Sequence, residues 1–310
     1  MSFTYVAEKM SKPGFSVTCF RCSCLGTAML LIVAAPFSVP HAANAEEPEK
    51  VAIPSMGRSN SPVPLVAFAF RPPTSGMHPA VVMLHGCGGA YARNGGLNAR
   101  HKMWGEFLAA NGYVTLMLDS FTSRNLKELC TIKFSRRPLK ESERIGDAYA
   151  ALDWLRAQGD VDNRRIMLIG WSHGAGVTLD TITHEPSGMP GFRAAVALYP
   201  GCTARARRAE GFHPYGPLLV LIGEADDWTP AAPCVRLASE VAERGELMQI
   251  VTYPGTYHDF DNPDLTAIRV RTDVPNGVNP GQGVTTGPNP EAREDAKKRV
   301  LKFFSDSSRP

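Results

Sequence analysis

The chain has 310 residues, 44% of them hydrophobic, and a formal net charge of +3. That is enough apolar material for one large core or two small ones. Lys and Arg are scattered along it, which excludes the basic stripe of a nucleic-acid-binding surface.

The first 45 residues stand apart. Lys9, Lys12 and Arg21 give a positive n-region, LGTAMLLIVAAPF (25–37) is an apolar stretch too short to span a bilayer comfortably, and Ala43-Asn44-Ala45 is an A-x-A cleavage site. The expectation is a secretory signal over 1–45, cut before Glu46, with an uncleaved anchor as the alternative and Met10 as an alternative start. The mature chain is then exported, to the periplasm or beyond, with no stable membrane association. Cleavage removes Cys19, Cys22 and Cys24 and leaves Cys87, Cys130, Cys202 and Cys234. An even count in an exported chain suggests two disulfides, and free thiols are the alternative. Cys87–Cys130 and Cys202–Cys234 are the favoured pairs, because each would lie near the ends of neighbouring strands.

From residue 46 onward strand and helix alternate. VPLVAFAFRP (63–72) reads as an early, antiparallel strand and PAVVMLHG (79–86) as a buried one. A Gly-rich turn, a helix over 98–112 and the strand YVTLMLDS (113–120) follow. After a polar loop comes an amphipathic helix over 139–158, with Ile145, Ala148, Leu152 and Leu155 on one side. Four more strands, at 165–170, 192–201, 217–226 and 247–255, are separated by helical segments, and a final helix over 291–306 presents Ala296, Val300 and Phe303. Near-continuous Val/Ile/Leu runs mean strands covered on both faces, and their alternation with helices means right-handed βαβ units and a mainly parallel sheet. One α/β domain over 46–310 is expected, with a long Pro/Gly/Asn-rich loop at 262–290 that could act as a lid.

In such sheets ligands bind beyond the carboxyl ends of the strands. LIGWSHGAG (168–176) lies there and places Ser172 between a strand and a helix. A nucleophile elbow needs small residues two positions either side of the nucleophile, and Gly170 and Gly174 meet that need; Gly176 would let the helix approach the sheet. A serine hydroxyl is weak without a base. The partners are expected downstream at strand ends: His258 in TYPGTYHDF as the base, and Asp226 or Asp227 in GEADDWTP as the acid, with Asp226 favoured. The alternative for Asp226 is a helix N-cap ahead of Pro230. His78, His101, His184 and His213 lack a strand-end setting and read as surface residues. LHGCGG (84–89) offers an oxyanion hole, with the Cys87 N–H joining that of His173. Trp171 and Trp228 flank the nucleophile and acid and could wall a substrate pocket or equally pack against the sheet; Arg124 could hold a substrate carboxylate, with a solvated loop cation as the alternative.

HGCGG, GWSHGAG, GEADDWTP and YPGTYHDF, in this order, resemble the dienelactone hydrolase branch of the α/β-hydrolases over about residues 60–305. The resemblance implies an α/β-hydrolase fold and hydrolysis of an ester or lactone through an acyl-enzyme, with Ser172, Asp226 and His258 as the triad. Dienelactone-cleaving members carry Cys where this chain has Ser172, and Glu about where it has His85. Those differences, with the leader, point to a more general exported esterase acting on a small-molecule ester or lactone. A serine peptidase on the same fold and a non-catalytic binding protein are the competing readings. No H-E-x-x-H, no clustered Cys/His spacing and no G-x-G-x-x-G cradle occurs, so no metal or cofactor is expected. The oligomeric state stays open.

Overall fold

Eight strands build the central sheet of the computed structural model, which describes residues 47–56 and 62–309. The expected leader and its cleavage site lie outside the described residues. In chain order the strands are β1 (Glu49–Met56), β2 (Pro62–Phe70), β3 (His78–Leu84), β4 (Val114–Asp119), β5 (Val161–Trp171), β6 (Ala195–Leu198), β7 (Leu218–Gly223) and β8 (Met248–Tyr253). Their spatial order is β1-β2-β4-β3-β5-β6-β7-β8. β1 and β2 pair antiparallel, β2 runs antiparallel to β4, and every other pairing is parallel. This is the expected mainly parallel sheet of an α/β-hydrolase.

The apolar runs explain the middle of the sheet. β4 and β7 are buried at every position, as strands covered on both faces must be. Helices α1 (Ala99–Ala110), α2 (Glu141–Arg156), α3 (His173–Thr181), α4 (Thr203–Ala206), α5 (Ala231–Glu243) and α6 (Pro290–Ser307) pack around it. α2 buries Ala148, Leu152 and Leu155 as its pattern predicts, while Ile145 is only partly covered. Full burial of each leucine side chain stabilises by roughly 1.5–3 kcal/mol. The same face also buries Arg144 and Asp147, which an apolar periodicity does not reveal. α6 buries Ala296, Val300 and Phe303 as expected, together with Ala292 and Phe304.

Two elements depart from the expected organisation. β1 was not foreseen: EKVAIPSM lacks a continuous apolar run and contains Pro54. Proline is tolerated because β1 pairs on one side only, and Ile53 anchors the strand in the core. Within 262–290, β9 (Arg269–Arg271) and β10 (Val284–Thr286) pair antiparallel as a small separate sheet, so this stretch is not wholly irregular.

Register brings the functional loops together. Leu84 of β3 lies beside Leu118 of β4 and Gly170 of β5. The segments that follow these strands therefore leave the sheet at one end, beyond the carboxyl termini of the strands, carrying Cys87, the 120–132 loop and Ser172. The disulfides join the favoured pairs. Cys87–Cys130 ties the loops after β3 and β4, and Cys202–Cys234 ties the segment after β6 to α5.

Candidate active site

Ser172 sits at φ 52° and ψ −115°, a conformation that L-residues rarely hold, between the last residue of β5 and the first of α3. The glycines around it are demanded by sterics. A Cβ on Gly170 would come within 2.4 Å of the Gly174 carbonyl oxygen, and one on Gly174 within 2.2 Å of the Leu84 carbonyl oxygen. Gly176 has a different reason from the one expected. It faces the Glu141 carboxylate and the Arg205 guanidinium, not the sheet, and a Cβ there would meet Glu141 Oε1 at 2.9 Å.

His258 Nε2 lies 2.9 Å from Ser172 Oγ, and His258 Nδ1 lies 2.7 Å from Asp226 Oδ2. Asp226 holds its place through its own turn. It accepts from the Trp228 N–H at 2.9 Å, the Thr229 N–H at 2.8 Å and the Thr229 hydroxyl at 3.0 Å. These bonds replace the helix N-cap considered from the sequence: α5 begins after Pro230, with no side-chain cap. Asp227 turns elsewhere and accepts from the Thr285 N–H and hydroxyl, each at 2.7 Å.

The His258 ring is packed between Tyr199 and Trp228, with each ring centroid 4.6 Å from that of the imidazole. Burial disfavours the charged ring, but the Asp226 carboxylate outweighs burial, and the pKa lies above the ordinary 6.5. Behind it sits a polar network that the sequence did not announce. Arg100 donates to the Tyr199 hydroxyl at 2.9 Å and to Asp259 at 2.5 Å. Tyr199 donates to Asp261 at 2.6 Å, and the indole N–H groups of Trp104 and Trp171 each donate to the same carboxylate at 2.8 Å. Burial pushes the Asp259 carboxyl up, but Arg100 more than offsets this and holds it below the usual range. The one available signal was the alternation of acids in HDFDN after His258.

A second buried cation braces the other side. Arg144 donates to the His85 carbonyl at 2.8 Å and lies 2.8 Å from the Nδ1 of His173. It therefore links the turn that carries Cys87 to the turn that carries Ser172. Burial drives its pKa down to about 10. Burial, then the Arg144 charge, holds both His85 and His173 well below 6.5, so both rings are neutral and His173 Nδ1 accepts. His85 Nε2 accepts from the Ser120 N–H at 3.2 Å. Among the described residues neither the Cys87 N–H nor the His173 N–H has an intramolecular acceptor.

Two sequence expectations are corrected, for Arg124 and for His78 and His101. Arg124 forks onto Asp147, at 2.9 and 2.8 Å, and also donates to the Ser120 carbonyl, so its guanidinium is committed inside the protein. Trp171 takes the packing alternative: it is fully buried against Trp104 and His101 and lines neither cavity described below. His101 and His78 are buried, whereas His184 and His213 are exposed as expected. Trp228 packs against the His258 ring and lines both cavities described below.

Two cavities reach Ser172. The larger, about 1620 Å³, is lined by Cys87, Tyr91, Asn125, His258 and the Arg269–Asp273 segment. The smaller, about 460 Å³, is lined by Arg137, His173, Phe212 and Thr229. Cys87, Ser172 and Trp228 belong to both. Among the described residues no group of three or more His, Cys, Asp or Glu side chains is arranged to hold a metal ion, and no helix is long and apolar enough to cross a membrane.

The profile of the dienelactone hydrolase family matches residues 65–308. An uncharacterized Mycobacterium tuberculosis protein is 30% identical over 164 residues, which is 46% of this chain and 54% of that protein, so the chain spans about half the length of this curated relative. Among solved structures, an esterase of Thermogutta terrifontis with bound propionate superposes with a TM-score of 0.58 at 18% identity, covering 85% of this chain and 95% of that one. A dienelactone hydrolase-like promiscuous phosphotriesterase from metagenomic libraries gives 0.60 at 18% identity, covering 84% and 98%. At these identities the structural likeness shows the fold.

Proposed function

The chain belongs to the dienelactone hydrolase family, and we propose that it is a serine hydrolase that cleaves carboxylic esters or lactones through an acyl-enzyme. One observation carries this reading: an unbroken chain of contacts from Ser172 Oγ to His258 to Asp226, at 2.9 and 2.7 Å, opening on two cavities. A hydroxyl so placed can lose its proton to His258 Nε2 as it attacks a carbonyl carbon. Asp226 keeps the ring in the tautomer that accepts at Nε2 and stabilises the imidazolium that forms. The Cys87 and His173 N–H groups are the donors for the tetrahedral oxyanion. His258 then protonates the leaving alkoxide, and a water activated by the same ring releases the acid. No metal or cofactor enters these steps. The partner is a small ester or lactone. Two disulfides suit an oxidising compartment, in keeping with export of the mature chain.

The test is hydrolysis of p-nitrophenyl acetate and butyrate by the mature protein, beside Ser172→Ala and His258→Ala. Each substitution is expected to lower kcat by roughly 10⁴–10⁶, because such residues act as one unit. Equal rates in all three proteins would sink the reading.

A further inference from the structure

The hydroxyl of Thr229 stands at a junction of three polar atoms beside the proposed base. Its Oγ1 lies 3.0 Å from Asp226 Oδ2, 3.1 Å from His258 Nδ1 and 3.0 Å from the Tyr199 carbonyl oxygen. The backbone N–H of the same residue donates to Asp226 Oδ1 at 2.8 Å. The sequence leaves the side chain little freedom. Pro230 follows and disfavours the helical conformation for Thr229. The branched Cβ narrows χ1. The methyl faces Gly201, where an added Cβ would come within 3.8 Å of it. Valine has nearly the same shape, so filling this space does not by itself require a hydroxyl.

Tyr199 supplies the third contact from a strained backbone. It sits at φ 43°, which L side chains rarely adopt. Its N–H donates to the Leu221 carbonyl at 2.7 Å, its hydroxyl donates to Asp261 at 2.6 Å, and its ring lies against His258. With the residue pinned at these three points, its carbonyl faces the Thr229 hydroxyl.

Proton counting turns this junction into a constraint. A hydroxyl has one proton to donate and two lone pairs. The Tyr199 carbonyl and the Asp226 carboxylate can only accept. The Thr229 proton therefore goes to one of these oxygens, and its lone pairs face His258 Nδ1. The donor must then be Nδ1, which leaves Nε2 to accept from Ser172 Oγ, 2.9 Å away. Asp226 Oδ2 and Thr229 Oγ1, at 2.7 and 3.1 Å, share the Nδ1–H as a three-centre bond.

Resting on the serine-hydrolase reading, we propose that Thr229 is a positioning residue of that reaction: held by the Tyr199 carbonyl, its hydroxyl fastens Asp226 to His258 and locks the imidazole in the tautomer that takes the Ser172 proton. When the imidazolium forms, Nδ1–H keeps both acceptors, so the charge develops without a side chain having to move. No substrate atom needs to touch Thr229 for this role.

The experiment measures p-nitrophenyl butyrate hydrolysis by the mature protein, Thr229→Val, Thr229→Ser, Asp226→Asn, and Asp226→Asn combined with Thr229→Val. Active sites are counted by fluorophosphonate labelling carried to completion, so unfolded protein drops out of each rate. Thr229→Val is expected to lower kcat by about ten- to a hundredfold, as loss of a hydrogen bond to a charged group does, with KM within about twofold. Thr229→Ser keeps the oxygen and should stay within a few-fold of the native kcat. In the Asp226→Asn background, Thr229→Val should lower kcat by less than about threefold more, because the lock is already broken. Native kcat in Thr229→Val, a loss confined to KM, a serine no better than valine, or a full additional loss in the double variant overturns the proposal. If the native protein neither cleaves the ester nor takes up the fluorophosphonate, the serine-hydrolase reading itself fails, and this proposal falls with it.

Discussion

Asp226 and Asp227 are neighbours in the chain and serve different partners. The first carboxylate lies 2.7 Å from His258 Nδ1, and the second accepts the Thr285 N–H and hydroxyl at 2.7 Å each. A single residue's rotation along the turn after β7 separates the group bonded to the proposed base from the group that fastens the 262–290 segment. Asp226→Asn should lower kcat by roughly 10³–10⁴ with the fold intact, since the ring loses the partner that fixes its tautomer. Asp227→Asn should leave cleavage of small esters within a few-fold and change the ratio of bulky to small ester rates, because the segment it holds walls the larger cavity. Steady-state kinetics on the two variants checks both. Identical losses in both would remove the distinction.

The pH profile follows from the same pair. His258 must be neutral to accept the Ser172 proton, and its pKa lies above the ordinary 6.5 because Asp226 outweighs burial. Activity should therefore rise with pH, with an acid limb whose midpoint in kcat/KM lies above that value. The residual activity of Asp226→Asn should show the midpoint moved down. The stability effect has the opposite sense. A raised pKa stabilises the fold fully below the unfolded value, and that increment is lost as pH rises through the folded one. A rate profile recorded from pH 5 to 9 reads the first effect, and melting temperatures over the same range read the second.

Arg144 couples the two turns that carry the proposed oxyanion donors. Arg144→Met keeps much of the volume but leaves the His85 carbonyl and His173 Nδ1 without their donor. Two buried acceptors so exposed cost roughly 1–3 kcal/mol each. Loosening the donors should also lower kcat by about ten- to a hundredfold with little change in KM. Denaturant melts together with the KM and kcat split distinguish this from a loss of stability alone.

The two disulfides should differ in what they control. Their sequence separations are 43 and 32 residues, so on the chain-entropy model each stabilises by roughly 3–4 kcal/mol. Only Cys87 also carries a proposed oxyanion donor. The double substitution Cys87→Ser with Cys130→Ser should lower both Tm and kcat. The pair Cys202→Ser with Cys234→Ser should lower Tm and leave kcat nearly unchanged at a temperature where the protein is folded. Equal effects of the two pairs on kcat would contradict the role given to the Cys87 turn.

Much of this architecture was legible because its causes are local. Apolar runs such as VTLMLD at 114–119 and LLVLIG at 218–223 read as buried strands, and the glycines around Ser172 follow from the sharpness of one turn. What escaped depends on pairings between distant segments. β1 looks unlike a strand until its edge position is known. Asp261 is 157 residues from Trp104 and 90 from Trp171, so no spacing rule links the three. Arg124 and Arg137 share one polar loop, and nothing in their composition tells which of them is bound to Asp147. His101 reads as a surface residue because it lacks a strand-end setting, yet the fold buries it against Trp171.

The central claim is that Ser172 is an activated nucleophile. The most direct measurement is intact-mass and peptide mapping of the mature protein after exposure to a fluorophosphonate. The account predicts a single adduct, located on Ser172 and absent in Ser172→Ala, that forms far more slowly in His258→Ala. No adduct, or one on another residue that persists in Ser172→Ala, would contradict it.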